Sequence, residues 1–298
     1  MIKRLVVLVL VLGMVLANFY TPFRVEGVHI VLRPEAILTI GAFRLTNTLL
    51  TSWLSSLVLI GFSLLATRKL RDVPPPRSLQ NLVETILEAL YNFMQRFAGE
   101  QARDFFPVVA GFFLFILTAN WLGLLPGMGS IGVLRQEAGR QVFVPLFRGA
   151  TTDLNTTVAL AICTVLATQI YGVRSSGLGG YLMRYVAIGR FLEFFRQLGR
   201  GQKPEGSLLI RGVLDLFVGF LELFDELTKI LSFSFRLFGN IFGGEVLLLV
   251  MAFLAPYVLG LPFWALELLG GFIQAFIFAV LSTAFYARAA SVHAERTS

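Results

Sequence analysis

Between Leu221 and Val250 the sequence reads LELFDELTKILSFSFRLFGNIFGGEVLLLV, too apolar for a water-facing surface yet holding Glu222, Asp225, Glu226, Lys229, Arg236 and Glu245. With a helical advance of about 100° per residue, Asp215, Glu222, Asp225, Lys229, Ser232, Arg236, Asn240 and Gly243 fall within about 60° of one line. Glu245 falls on the opposite face. An arginine deep in a membrane segment costs at least ~2.5 kcal/mol on insertion scales, so Arg236 requires an aqueous path or a charged partner. Snorkelling to a headgroup fits poorly, because Leu237 and Phe238 follow directly and the next basic residue is Arg288.

The intramembrane polar groups divide by depth and do not form one continuous line. Glu222, Asp225 and Glu226, with Lys229 and Ser232, belong to the cytoplasmic end of a long helix. Glu245, eleven residues before Pro256, and Glu267, five after Pro262, belong to the outer end. Asp153 and Asn155 join the outer set, as does Asn120, and Arg236 lies between the two sets. Two neighbouring carboxylates in a low dielectric cannot both ionise cheaply, so Glu245 and Glu267 are expected to titrate as a coupled pair. The plainer alternative is that each reaches a headgroup region or a helix end. Gln274, seven residues after Glu267, shares its helical face and can hydrogen-bond toward Arg236; otherwise it packs helices. Gly239, Gly243 and Gly244 either let helices approach closely or admit a moving surface beside Arg236.

These residues need spanning elements to hold them. Residues 1–23 place an apolar run behind Lys3 and Arg4, either a signal peptide or a first span, and residues 24–45 form an outer segment. A membrane domain follows from 46 to 298, with spans over 46–67, 105–125 and 154–173; the first, 22 residues without a charge, is long enough for ~30 Å of hydrocarbon. Residues 78–97 alternate apolar and polar positions at helical spacing, an amphipathic helix on the membrane surface or against a partner. The Gly-rich basic stretch 174–203 reads as a loop. No proline lies within 207–255, and those 49 residues would measure about 70 Å as a helix, too long to stand upright. That helix must lie oblique, break, or run partly outside; a second one occupies 262–288. With six segments and an inside N-terminus, 16 basic residues fall on the inner side and 6 on the outer, which puts the C-terminus in the cytoplasm.

Composition excludes other classes. A mean hydropathy of +0.76 with 14% charged residues lies far from a soluble domain, which has about 25% charged residues. The net charge of +7 comes from basic residues scattered between apolar runs, a topology signal and not a nucleic-acid surface. The single Cys163 reads as a small core residue, and His29 and His293 have no partners at ligand spacing, so no metal or cofactor is expected. No phosphate-binding loop, nucleophile elbow or zinc-protease motif occurs.

The run Ser232-Phe-Ser-Phe-Arg236-Leu-Phe-Gly-Asn240 followed by Gly244-Glu245 resembles the signature of subunit a of the F-type rotary ATP synthases. The resemblance extends to Thr152-Asp153-Leu-Asn155-Thr-Thr-Val-Ala-Leu-Ala161, Asn120-Trp-Leu-Gly-Leu-Leu-Pro126 and Gln274-Ala-Phe-Ile-Phe278, in the family's order. It implies an all-α polytopic membrane protein of five to six segments ending in a long, strongly tilted helical hairpin, in a bacterial-type plasma (inner) membrane. It implies a stator that offers two half-channels to a ring of c subunits, alongside peripheral-stalk b subunits and the other synthase subunits. Arg236 would face the ring carboxylate, and the chain itself would do no bond chemistry. A histidine often holds the family position matching Glu267, so the acid here is a departure. Two rival classes are a self-contained secondary transporter, which often shows internal repeats that are not visible here, and a structural assembly subunit whose charged stripe is only an interface. Co-purification with a small, abundant two-span protein separates them from the rotary reading.

Overall fold

The structure, a computed structural model, describes residues 32–41, 43–137, 140–185, 189–199, 206–254 and 260–291. The candidate signal or first span over 1–23 lies outside the described residues, as does the turn at Pro256. Among the described residues seven α-helices follow in order: α1 Asn47–Thr67, α2 Leu79–Ala98, α3 Ala102–Gly123, α4 Leu154–Tyr185, α5 Gly189–Gly199, α6 Gly206–Leu254 and α7 Gly260–Ser291. Among the described residues five helical runs are long and apolar enough to cross a membrane: α1, α2 with α3, α4, α6 and α7. The protein is an all-α polytopic membrane protein in its spanning part. α6 runs for 49 residues without interruption, which removes a break from the three routes open to it.

The chain separates into two compact units, and α2, α3, α4, α6 and α7 each contribute to both. The first unit comprises residues 1–87, 110–157 and 235–279. It contains two antiparallel hairpins that the hydropathy pattern did not announce, β1 Ala36–Ile40 with β2 Phe43–Thr46 and β3 Gly132–Glu137 with β4 Arg140–Pro145. Arg135 joins them, its guanidinium donating to the Ala36 carbonyl at 2.9 Å. α1 begins where the Thr46 hydroxyl accepts from the Leu49 N–H at 3.2 Å. Along α1 the Thr51 and Ser55 hydroxyls donate to the carbonyls of Asn47 and Thr51, at 3.0 and 2.8 Å, while Thr48 donates outside the helix to the Asp153 carboxylate at 2.9 Å. That lets Asn47, Thr48, Thr51 and Ser55 be buried in an otherwise apolar helix. α3 and α7 are tied by indole donors, with Trp264 Nε1 on the Leu124 carbonyl at 2.7 Å and Trp121 Nε1 on the Leu268 carbonyl at 3.0 Å.

The second unit comprises residues 88–109, 158–234 and 280–298. Its core is aromatic: Phe105, Tyr171 and Tyr286 pack with ring centroids 4.7 to 5.8 Å apart. The stretch 174–203, expected as a loop, is largely helical. Glycine and arginine do not by themselves end a helix; within α4 the break comes at Gly177, whose φ of 70° and ψ of 160° suit glycine almost alone. Beyond that point the chain folds back, Tyr181 lying on Gly172 and its hydroxyl donating to Gln169 Oε1. Tyr185 donates to the same oxygen at 3.0 Å. Cys163, expected in the core, is exposed. Apolar surroundings in the sequence do not by themselves imply burial within the chain.

Candidate functional site

The first unit holds a cavity of about 710 Å³ whose wall includes Glu35, Asn120, Arg148, Glu245, Trp264 and Glu267. α6 presents Glu245 to it, while Arg236, half a helical turn away in projection, is exposed together with Gly239, Asn240 and Gly243. Leu237 and Ile241 are buried. A Cβ at Gly239 or Gly243 would meet nothing within 4 Å, so this strip is bare enough for another backbone to approach closely.

Glu245, expected beside Glu267 as a coupled carboxylate, has a cationic partner instead. Arg148 grips it bidentately, with Nε 2.9 Å from Oε1 and the terminal amino group 2.9 Å from Oε2. The arginine side chain is 9% exposed and the glutamate 31%. The guanidinium also stands 5.8 Å over the Phe242 ring, and the Arg148 N–H donates to Thr51 Oγ1 at 3.2 Å. In the sequence Arg148 is one of the six basic residues of the outer side and nothing local sets it apart. The available signal was a lone arginine just ahead of the Thr152-Asp153 motif, which needed a carboxylate partner that no local pattern supplied.

Glu267 reaches the same cavity from α7. Its carboxyl lies directly against the backbone of Gly244, where any Cβ would collide with it. Asn120, 2% exposed, accepts from Thr151 Oγ1 at 2.6 Å and donates to the Gly271 carbonyl at 3.0 Å, joining α3 to α7 at the cavity wall. Gln274 is buried, and its Oε1 accepts from Asn240 Nδ2 at 2.5 Å. The Gln274 hydrogen bond thus goes to the residue four positions after Arg236.

Asp153 and Asn155 do not line the cavity. Asp153 precedes α4 and is buried, its carboxylate accepting from the Thr48 hydroxyl at 2.9 Å, the Asn155 N–H at 2.9 Å and the Asn155 side-chain amide at 3.1 Å. That pattern is an N-terminal helix cap extended to α1, which satisfies the carboxylate where it stands.

In the second unit the expected cytoplasmic set divides. Lys229 is buried, with Nζ 2.9 Å from Glu226 Oε1, 3.0 Å from Asp225 Oδ2 and 5.1 Å from the Phe285 ring centroid. Glu226 Oε2 is buried and has no hydrogen-bond partner among the described residues. Asp225 and Ser232 are exposed and Glu222 is half-buried. Helical angle alone put Lys229 on the Arg236 line, but a long side chain anchored by carboxylates three and four residues earlier turns inward.

Known proteins share this arrangement of sequence. The profile of the family described as ATP synthase A chain matches residues 49–287. A protein named ATP synthase subunit a from Moorella thermoacetica is 31% identical over 255 residues, covering 86% of this chain and 95% of that one. Its namesake from Syntrophobacter fumaroxidans is 32% identical over 268 residues, covering 90% and 93%. Another, from Geobacter sp., is 32% identical over 231 residues, covering 78% and 82%. The matched span contains Arg148, Glu245 and Glu267 of the cavity wall, the Arg236 strip and the Lys229 cluster, and the chain belongs to the ATP synthase A chain family.

Proposed function

We propose that this chain is the proton-translocating stator subunit of a rotary ATP synthase, itself without bond chemistry. The cavity bounded by Glu245 and Glu267 is the outer half-channel, and the polar residues around Glu222, Asp225, Lys229 and Ser232 serve the cytoplasmic one. The exposed strip of Arg236, Gly239, Asn240 and Gly243 meets a ring of c subunits. A proton entering from outside neutralises a ring carboxylate, rides the ring, and leaves on the cytoplasmic side, where the C-terminus also lies. Each charge moved yields ~2.3 kcal/mol per 100 mV of membrane potential. Arg236 keeps the ring carboxylate ionised between the two openings, and the b subunits hold the chain still.

The observation that supports this reading is the two-sidedness of α6: an exposed arginine among bare glycines on one side, and a carboxylate-lined cavity on the other. Proximity tests it. With Cys163 replaced by serine, Gly239→Cys is expected to cross-link under oxidation to a cysteine placed beside the ring carboxylate, whereas Leu237→Cys, on the buried side, is not. Cross-linking from Leu237→Cys alone would contradict the docking face.

A further inference from the structure

The cavity holds two intramembrane carboxylates, but the chain treats them differently. Glu245 receives three short donations, at 2.9, 3.1 and 2.9 Å, from a guanidinium that is always protonated. Arg148 is held through its backbone N–H, which donates to Thr51 Oγ1, and its guanidinium stands over the Phe242 ring. Among the described residues no cation forms an ion pair with Glu267, whose carboxyl sits against Gly244, the residue preceding Glu245. Glu35 is the other acid in the cavity wall.

We propose that Arg148 is the positioning residue that keeps Glu245 as a standing carboxylate, leaving Glu267 as the group that takes up and releases protons in this cavity. The inference rests on the outer half-channel reading. In each cycle Glu267 accepts a proton from water in the cavity, becomes a neutral carboxyl, and passes the proton onward, regaining its charge. Glu245 and Arg148 keep their opposite charges throughout, so a single site and not a coupled pair titrates. Bidentate pairing explains why an arginine is used: a lysine offers one point charge and can lose its proton in a low dielectric.

Removing either member of the pair strands the other. In Glu245→Gln an unpaired guanidinium remains in the cavity wall that Glu267 also lines and favours the ionised form of Glu267; in Arg148→Gln a second proton-binding acid appears in the cavity. Each single variant is expected to slow proton-driven ATP synthesis in inverted vesicles by about tenfold, the effect of some 1.4 kcal/mol on the barrier. The double variant Arg148→Gln/Glu245→Gln, with both charges removed together, is expected to recover most of that loss. Glu267→Gln should abolish synthesis in either background. A double variant as slow as Glu245→Gln would overturn the inference, because Glu245 would then be a proton carrier in its own right. Shape-conserving variants give a second readout: Glu267→Asp should shift the midpoint of the dependence of synthesis on outer-side pH, and Glu245→Asp should leave it in place. Equal shifts from both would also overturn the inference. Wild-type rates in both Glu245→Gln and Glu267→Gln would remove the cavity from the proton path, and with it the reading on which this inference rests.

Discussion

Gly244 and Glu267 show how closely a single hydrogen atom can set the place of a functional group. The Glu267 carboxyl occupies the space where a side chain at Gly244 would begin. Because the colliding atoms are the far end of a flexible chain, Gly244→Ala should leave the complex assembled while moving the carboxyl off its position. Proton-driven synthesis in vesicles is then expected to fall by about tenfold, as a misplacement of an ångström in a proton path readily produces. Unchanged synthesis would show that the position of Glu267 is immaterial. The same scale holds the residues that spacing could not resolve. Arg236, Glu245 and Glu267 stood out in the sequence because a charge inside an apolar run is expensive. Arg148 did not, since its partner is 97 residues away and only the fold joins them. Asp153 stood out for the right chemical reason, an acid at the entry to a span, yet its carboxylate is consumed by a helix cap and by Thr48.

Among the elements, the long apolar helices were legible because membrane thickness fixes their length and hydropathy. The two β-hairpins were not, being short and lying in loops that hydropathy leaves blank. The basic stretch after Arg174 was misread as a loop for a related reason. Composition reports average tendency, whereas one residue with a positive φ decides where the helix stops. Gly177 is that residue. Gly177→Ala should force a backbone conformation costing on the order of 1–3 kcal/mol, loosening the fold-back that places Tyr181 and Tyr185 on Gln169. Faster amide hydrogen exchange over the residues following position 177, with little change in α1, is the expected result. Exchange raised evenly along the whole chain would contradict a local role.

For the whole molecule, family membership brings together the apolar helices, the cavity and the exposed arginine under one activity, proton transport linked to ATP synthesis. The helices alone would suit a transporter equally well. What favours the rotary reading is that Arg236 faces outward from this chain, on a strip with bare glycines, and not into the cavity that holds Glu245 and Glu267. On the proposed reading that exposed charge acts on the ring. Its removal should therefore uncouple two quantities that a simple channel would keep together. In inverted vesicles containing the assembled complex, Arg236→Ala is expected to abolish proton-driven ATP synthesis while passive proton leak persists or rises, because the ring carboxylate is no longer kept ionised between the half-channels. Arg236→Lys should fail too, its compact ammonium being able to shed its proton in a low dielectric. The most direct measurement is synthesis and leak recorded on the same Arg236→Ala vesicles: lost synthesis with leak retained or increased is the expected result, and substantial synthesis by that variant would contradict the assignment of Arg236.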